Sequence, residues 1–172
     1  TDGRHAKVEF SDSWKDDASR RDFTINSIYA AIEGSLFDPF NGKKDLENGK
    51  INFIGNVETR IKEDYLRVLR YVRFYLNYSK HSHDPKVIKA MKKNLSGVSS
   101  ISSERLIDEF QKLLKSDGFL KLSKDKDCLE IINLIFPQIK NISLFNKMNS
   151  FAKQNFLEVD FIFLLSCMII EG

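Results

Sequence analysis

The stretch Glu63-Asp64-Tyr65-Leu66-Arg67-Val68-Leu69-Arg70-Tyr71-Val72-Arg73-Phe74 constrains the fold most. Leu66, Leu69, Val72 and Leu76 recur at spacings of three and four, which predicts one amphipathic helix with a single apolar stripe. That stripe needs a partner surface, so other elements must pack on it. Arg67, Arg70 and Arg73 run beside it, and Glu63 lies one turn before Arg67. Taken alone, such charges read as a solvated face. Their mixture permits more: Asp64 accepts hydrogen bonds, Arg67 donates them, and together they can match the edge of a nucleobase. Arg70 and Arg73 are then available for phosphates.

The chain has 172 residues, 42% of them apolar, with 14 Phe and only three Pro and eight Gly. A real core and a helical fold follow, and wholesale disorder does not. Net charge is only +3, so a polycationic protein is excluded. The cations Arg60, Lys62, Arg67, Arg70 and Arg73 against Glu63 and Asp64 account for that whole excess in one segment. Cys128 and Cys167 are too few for a disulfide framework or a zinc site, which fits a reducing, cytoplasmic setting. The longest apolar run, 161–170, is shorter than the ~20 residues a membrane helix needs. No membrane partner is expected, and nothing fixes the oligomeric state.

Strand signals are confined to the first third. A strand is expected at Lys7–Phe10 after a turn at Asp2-Gly3. A short helix over 20–26 then leads into a strand ending near Glu33, paired through Gly34-Ser35 with Leu36–Asp38. Residues 38–45 read as a loop and Ile51–Ile54 as a last short strand. From Val57 the pattern is helical. Asp84 caps a helix with Pro85 in its first turn, and Ser102 or Ser103 caps the next. Further helical pieces are expected at 119–122, 127–135, 144–153 and 159–170. The fold class is mainly α: a small β-containing part over 1–56, then an all-α region over 57–172.

Arg20-Arg21-Asp22-Phe23-Thr24-Ile25-Asn26 reads on its own as a charged helix start. On physics alone that reading leads; the alternative is a nucleotide site, with arginines on phosphate, Asp22 on a ribose hydroxyl and Asn26 on phosphate. Asp38-Pro39-Phe40-Asn41-Gly42-Lys43-Lys44-Asp45-Leu46 by itself is a turn. His81 and His83 lie in a polar linker with no third metal ligand near them in sequence, and His5 is alone. Asp125-Lys126-Asp127 reads as an exposed charge run rather than a metal site.

In this order and at these separations, RRDFTIN, DPFNGKKDL and EDYLRVLRYVRF together resemble the class II tRNA nucleotidyltransferase (CCA-adding enzyme) and bacterial poly(A) polymerase family. Asp2–Ala6 and the S-x-E-R-h-x-x-E segment around Ser102–Glu109 add to the likeness, which covers about residues 1–137. The resemblance implies template-independent addition of CCA to a tRNA 3′ end, or of A residues by a poly(A) polymerase. A helical RNA-binding module without chemistry is the rival of another class. ATP, CTP and a tRNA 3′ end are the implied partners and Mg2+ the implied cofactor. Residues 1–56 would be the end of the nucleotidyltransferase head, and 57–172 the neck and part of the body. Arg20, Arg21, Asp22 and Asn26 inherit contacts to ribose and phosphate, Asp64 and Arg67 inherit base selection, and Arg70 is a phosphate candidate. Glu63 and Arg105 inherit supporting roles. The family's metal-binding D-x-D strand belongs upstream of RRDFT and is not in this sequence, so no catalytic residue is assigned. The chain alone is expected to be inactive. Glu9 could stand beside that strand but reads as an outward-facing residue. Three departures are Tyr65 where the family carries Pro, Ser27 where it favours Ala, and Asn52 where Arg is common.

Overall fold

The computed structural model describes residues 13–169. The strand expected at Lys7–Phe10, with His5, Glu9 and the Asp2-Gly3 turn, lies outside the described residues. The remainder is mainly α. Helix α1 (Trp14–Arg20) is followed by a hairpin of β1 (Tyr29–Ala30) and β2 (Leu36–Phe37), then by α2 (Gly42–Asn48) and α3 (Val57–Glu63). Helices α4 (Arg67–Tyr78), α5 (Pro85–Lys93), α6 (Ser103–Leu114), α7 (Phe119–Leu122) and α8 (Lys126–Ile135) come next. The last two are α9 (Ser150–Asn155) and α10 (Phe161–Ile169).

The expected hairpin is present, with Tyr29 opposite Phe37 and Ala30 opposite Leu36. The strand expected at Ile51–Ile54 is reduced to one antiparallel bridge, Phe23 to Phe53. Its bonds run from the Thr24 N–H to the Asn52 carbonyl and from the Ile54 N–H to the Asp22 carbonyl, both 3.0 Å. Of the helix expected over 20–26, a short 3-10 turn forms at Thr24–Asn26; the α-helix lies before it at Trp14–Arg20, and the RRD residues lie at its end and beyond it. Ser13 caps α1, with Asp16 and Asp17 in its first turn, so the helix starts earlier than the arginines suggested.

The central helix is interrupted. α3 ends at Glu63, Asp64 is extended (φ −154°, ψ 105°), and α4 begins at Arg67. The Leu66 N–H donates to the Asp64 carboxylate (3.1 Å) and the Arg67 N–H to the Asp64 carbonyl (3.1 Å). Asp64 thus satisfies groups that a new helix start leaves open, a geometry Asp favours over a helix interior. The stripe on α4 is buried as expected: Leu66, Leu69, Val72 and Leu76 are each at most 9% exposed.

The stretch 38–45, read as a loop, contains the start of α2. Both Asp38 carboxylate oxygens accept backbone N–H groups, from Gly42 (2.7 Å) and Lys43 (2.9 Å), which ends the loop and opens the helix. Gly42 is there because of contact. A Cβ on it would lie 2.0 Å from the Thr24 carbonyl oxygen. Asp84 and Ser102 cap α5 and α6, and Pro85 opens α5.

One core joins the N-terminal part to the helices. Phe23 and Phe53 pack edge to face (centroids 4.7 Å), Phe53 stacks on Tyr71 (5.9 Å), and Phe23 also meets Phe74. Further along, Leu113, Leu114, Leu122, Ile131 and Ile132 are buried, and Phe119 stacks on Phe156. Asn77 at the end of α4 donates to Ser116 Oγ (3.0 Å) and accepts from the Gly118 N–H (3.0 Å), tying α4 to the turn before α7.

Gly42→Ala must push the Thr24 backbone, and overpacking of this kind costs about 1–3 kcal/mol. Urea unfolding of the variant should show a lower midpoint with an unchanged slope. An unchanged midpoint would mean the Thr24–Gly42 contact has slack.

Candidate nucleotide site

The site forms where the segment after α1 meets the start of α4 and the flank of α6. Asp22 is only 6% exposed. One of its oxygens accepts the Phe23 N–H (2.9 Å) and the Asn26 side-chain amide (2.9 Å); the other accepts Arg70 Nε (2.5 Å). The Phe23–Phe53 bridge and the Thr24 hydroxyl, which donates to Asp45 (2.7 Å), hold this turn in place. Asn52 donates to the same Asp45 oxygen (2.9 Å) and is therefore part of the scaffold.

Arg70 lies between two acids. Besides Asp22 it has Glu109 at 3.8 Å, and Glu109 accepts Arg73 Nε at 2.6 Å. Glu109 is 2% exposed. Burial pushes the Asp22 carboxyl up, but the bonds from Arg70 and Asn26 with the Arg70 charge outweigh it and hold the group below the usual carboxylate range. Burial pulls Arg70 down, and the bond and charge of Asp22 more than offset it.

Arg67 does not pair with Asp64, although the two are three residues apart. It donates to Glu63 (2.7 Å), to the Arg60 carbonyl (2.7 Å) and to the Arg20 carbonyl (3.3 Å). Glu63 also accepts Arg60 Nη1 (2.6 Å), and Arg60 donates to the Arg21 carbonyl. Asp64 accepts Arg105 Nη2 at 2.8 Å, and its charge also favours the Arg70 cation. The Arg20 side chain is exposed, and Arg21 pairs with Asp17 (2.9 Å) one turn back on α1.

The structure therefore brings Asp22, Asn26 and Arg70 together, with Arg67, Glu63 and the Arg20 carbonyl beside them. It joins Asp64 to Arg105 and turns Arg21 toward Asp17. The sequence reading missed Arg60, Asp45 and Glu109. Each stood in a segment already singled out, Arg60 among the cations of 60–73, Asp45 in DPFNGKKDL and Glu109 four residues after Arg105 on the same face of α6, but none was given a site role.

Magnesium does not fit the carboxylates present here. Asp22, Glu63, Asp64 and Glu109 are each held by a guanidinium. Among the described residues three potential metal ligands converge at His83, Asp125 and Cys128, a group that shares no residue with the site. This corrects two expectations. His83 does have further ligands beside it, and Asp125 is a partly buried helix cap rather than part of a solvated charge run.

Two family models match the chain: one described as a poly A polymerase head domain over residues 1–52, the other as a probable RNA and SrmB-binding site of polymerase A over 83–143. The chain is 43% identical over 154 residues to the human mitochondrial CCA tRNA nucleotidyltransferase 1, which covers 87% of this chain and 35% of that protein. The structure of the Bacillus stearothermophilus CCA-adding enzyme in complex with CTP is similar with a TM-score of 0.62 at 31% identity, covering 73% of this chain and 30% of that one. The Thermotoga maritima CCA-adding enzyme complexed with tRNA gives a TM-score of 0.66 at 25% identity, covering 90% and 40%. The chain belongs to the class II nucleotidyltransferase family of CCA-adding enzymes and poly(A) polymerases. It spans about a third of the length of the curated relatives it matches (35% for the human one). No helix among the described residues is long and apolar enough to cross a membrane.

Asp22, with its depressed folded pKa, stabilises the fold at pH values above its unfolded pKa near ~3.9, and that contribution is lost as pH falls through the folded value. Asp22→Asn should therefore be less stable than the parent at neutral pH, and the gap should narrow below about pH 4. A gap that is constant from neutral to acid pH in chemical unfolding would contradict the linkage.

Proposed function

We propose that this chain is the nucleotide-selecting and RNA-binding portion of an enzyme that adds CCA to the 3′ end of tRNA, taking CTP and ATP. Residues 1–56 are the end of its head and 57–172 its neck and part of its body. The observation that carries this reading is the bond from Arg70 to Asp22, which joins the RRDFTIN and EDYLRVLRYVRF segments into one polar site.

In this reading Asp22 accepts from a ribose hydroxyl, while Asn26 holds the carboxylate in place. Arg20, Arg21 and Arg70 meet the phosphates, with Arg21 leaving Asp17 to do so. Asp64 and Arg67 read the base. Cytosine and adenine both carry an exocyclic amine that donates and a ring nitrogen that accepts; uracil and guanine present a carbonyl and an N–H there. The amine takes the place of the Arg105 donor at Asp64. Glu63 holds the Arg67 guanidinium so that its other N–H groups face the ring nitrogen. Lys86 and Lys89, exposed on α5, lie in the segment matched by the RNA-binding model and are candidates for backbone phosphates of the tRNA. Mg2+ is the cofactor of the intact enzyme in this reading, held by residues outside this chain. Neither cysteine is in a disulfide, which fits a reducing compartment, and the cytoplasm is the proposed location.

In the intact enzyme, Asp64→Ala or Arg67→Ala should shift the ratio of CTP and ATP use to UTP and GTP use by about tenfold or more. Each leaves a buried polar group of the base unpaired, worth about 1–3 kcal/mol. Folded variants that keep the parent ratios would remove both residues from base choice. Failure of the parent to use CTP would assign the chain to a poly(A) polymerase instead.

Asp22→Ala should impair ribonucleotides more than 2′-deoxynucleotides, since a charge-assisted bond to the hydroxyl is worth about 1.5–3 kcal/mol. Single-turnover incorporation of both sugars measures it. Equal losses would leave Asp22 as a holder of Arg70 alone.

A further inference from the structure

We propose that His83, Asp125 and Cys128 form a site for a zinc-class divalent cation that clamps the segment before α5 to the first turn of α8. His83 Nε2 lies 3.0 and 3.1 Å from the two Asp125 oxygens, and Cys128 Sγ lies 3.6 Å from the same nitrogen. A ligand atom from each of the three falls within 4.8 Å of the others. Zinc bound tetrahedrally at ~2.0–2.1 Å from nitrogen and oxygen and ~2.3 Å from sulfur sets N and S about 3.6 Å apart and N and O about 3.3 Å apart. The site matches the first spacing and needs a few tenths of an ångström for the second.

The surroundings orient each ligand. His83 Nε2–H donates to Asp125 in the absence of an ion; on binding, the ring proton sits on Nδ1, where Tyr71 Oη at 3.2 Å accepts it, and the Nε2 lone pair is freed for the cation. The Tyr75 ring stacks on the imidazole at 3.6 Å and 18°, which fixes its plane. Asp125 is oriented by the Cys128 N–H, which it accepts at 2.9 Å as the cap of α8. The charges also balance. A divalent cation with one carboxylate, one thiolate and a neutral imidazole is a neutral unit, which suits the fully buried Cys128. Binding releases the Cys128 proton to solvent. A surface groove bordered by His83, Pro85, Lys92 and Asp127 reaches the imidazole, giving a path for entry and room for water as a fourth ligand.

The ligands come from none of the nucleotide segments, so the proposal stands apart from the function argued above. Metal-free protein titrated with Zn2+ by calorimetry should bind about one ion at this site, with a rise in melting temperature. Co2+ in its place should give a thiolate-to-metal charge-transfer band. Cys128→Ser should abolish that band and Cys167→Ser should leave it. His83→Gln retains an amide donor for Asp125 but is a poor ligand, and should weaken zinc binding at least tenfold. Absence of the band, or zinc binding that survives both Cys128→Ser and His83→Gln, would overturn the proposal. If Cys128→Ser does not fold, His83→Gln decides.

Discussion

Arg70 is the residue on which the rest of the site depends. It lies on α4 between Asp22, from the segment after α1, and Glu109 on α6, and Glu109 in turn holds Arg73. Both acids are almost wholly buried. Removing one member of such a row leaves its partner charged and desolvated, which costs about 3–5 kcal/mol. Three segments far apart in the chain are thereby held in one arrangement. The apolar stripe of α4 supplies burial on one side and its arginines supply direction on the other.

The polar groups of the site are partnered within the chain, apart from the buried Arg60 Nε, which meets no hydrogen-bond partner among the described residues. Asp22, Glu63, Asp64 and Glu109 each have a guanidinium, Asp45 has a hydroxyl and an amide, and Arg67 uses backbone carbonyls as well. Ligand binding at such a surface is an exchange of partners. Net affinity is then a small difference between large terms, and selectivity arises where a wrong base leaves a partner unmatched.

Local features were legible in the sequence, and long-range ones were not. The α4 stripe, the Asp84-Pro85 start of α5, the Ser102 cap and the Gly34-Ser35 hairpin depend on neighbours within a few residues, and each appears where its pattern predicts. The break at Asp64 was hidden because the apolar period runs through it, while one carboxylate–backbone bond decides the geometry. The Pro usual in the family after the acid pair would have announced it; Tyr65 does not. The start of α2 was masked in the same way by loop-like composition around Asp38. Of the site, RRDFTIN, EDYLR, Arg70 and Arg105 were named by resemblance, but which of them pair, and the acids Asp45 and Glu109, were not. Arg73 meets Glu109 and His83 meets Asp125 across some 40 residues, which no local pattern encodes.

The Phe23, Phe53, Tyr71 and Phe74 cluster has a consequence for how such a protein can be taken apart. The change from strands to helices near residue 56 looks like a seam, yet the aromatic rings interlock across it. A cut there would bare apolar rings on both pieces, and neither would have its core closed. An exchange of N-terminal parts between relatives would have to carry α4 along. The packing unit is thus the segment together with the helix that completes its core.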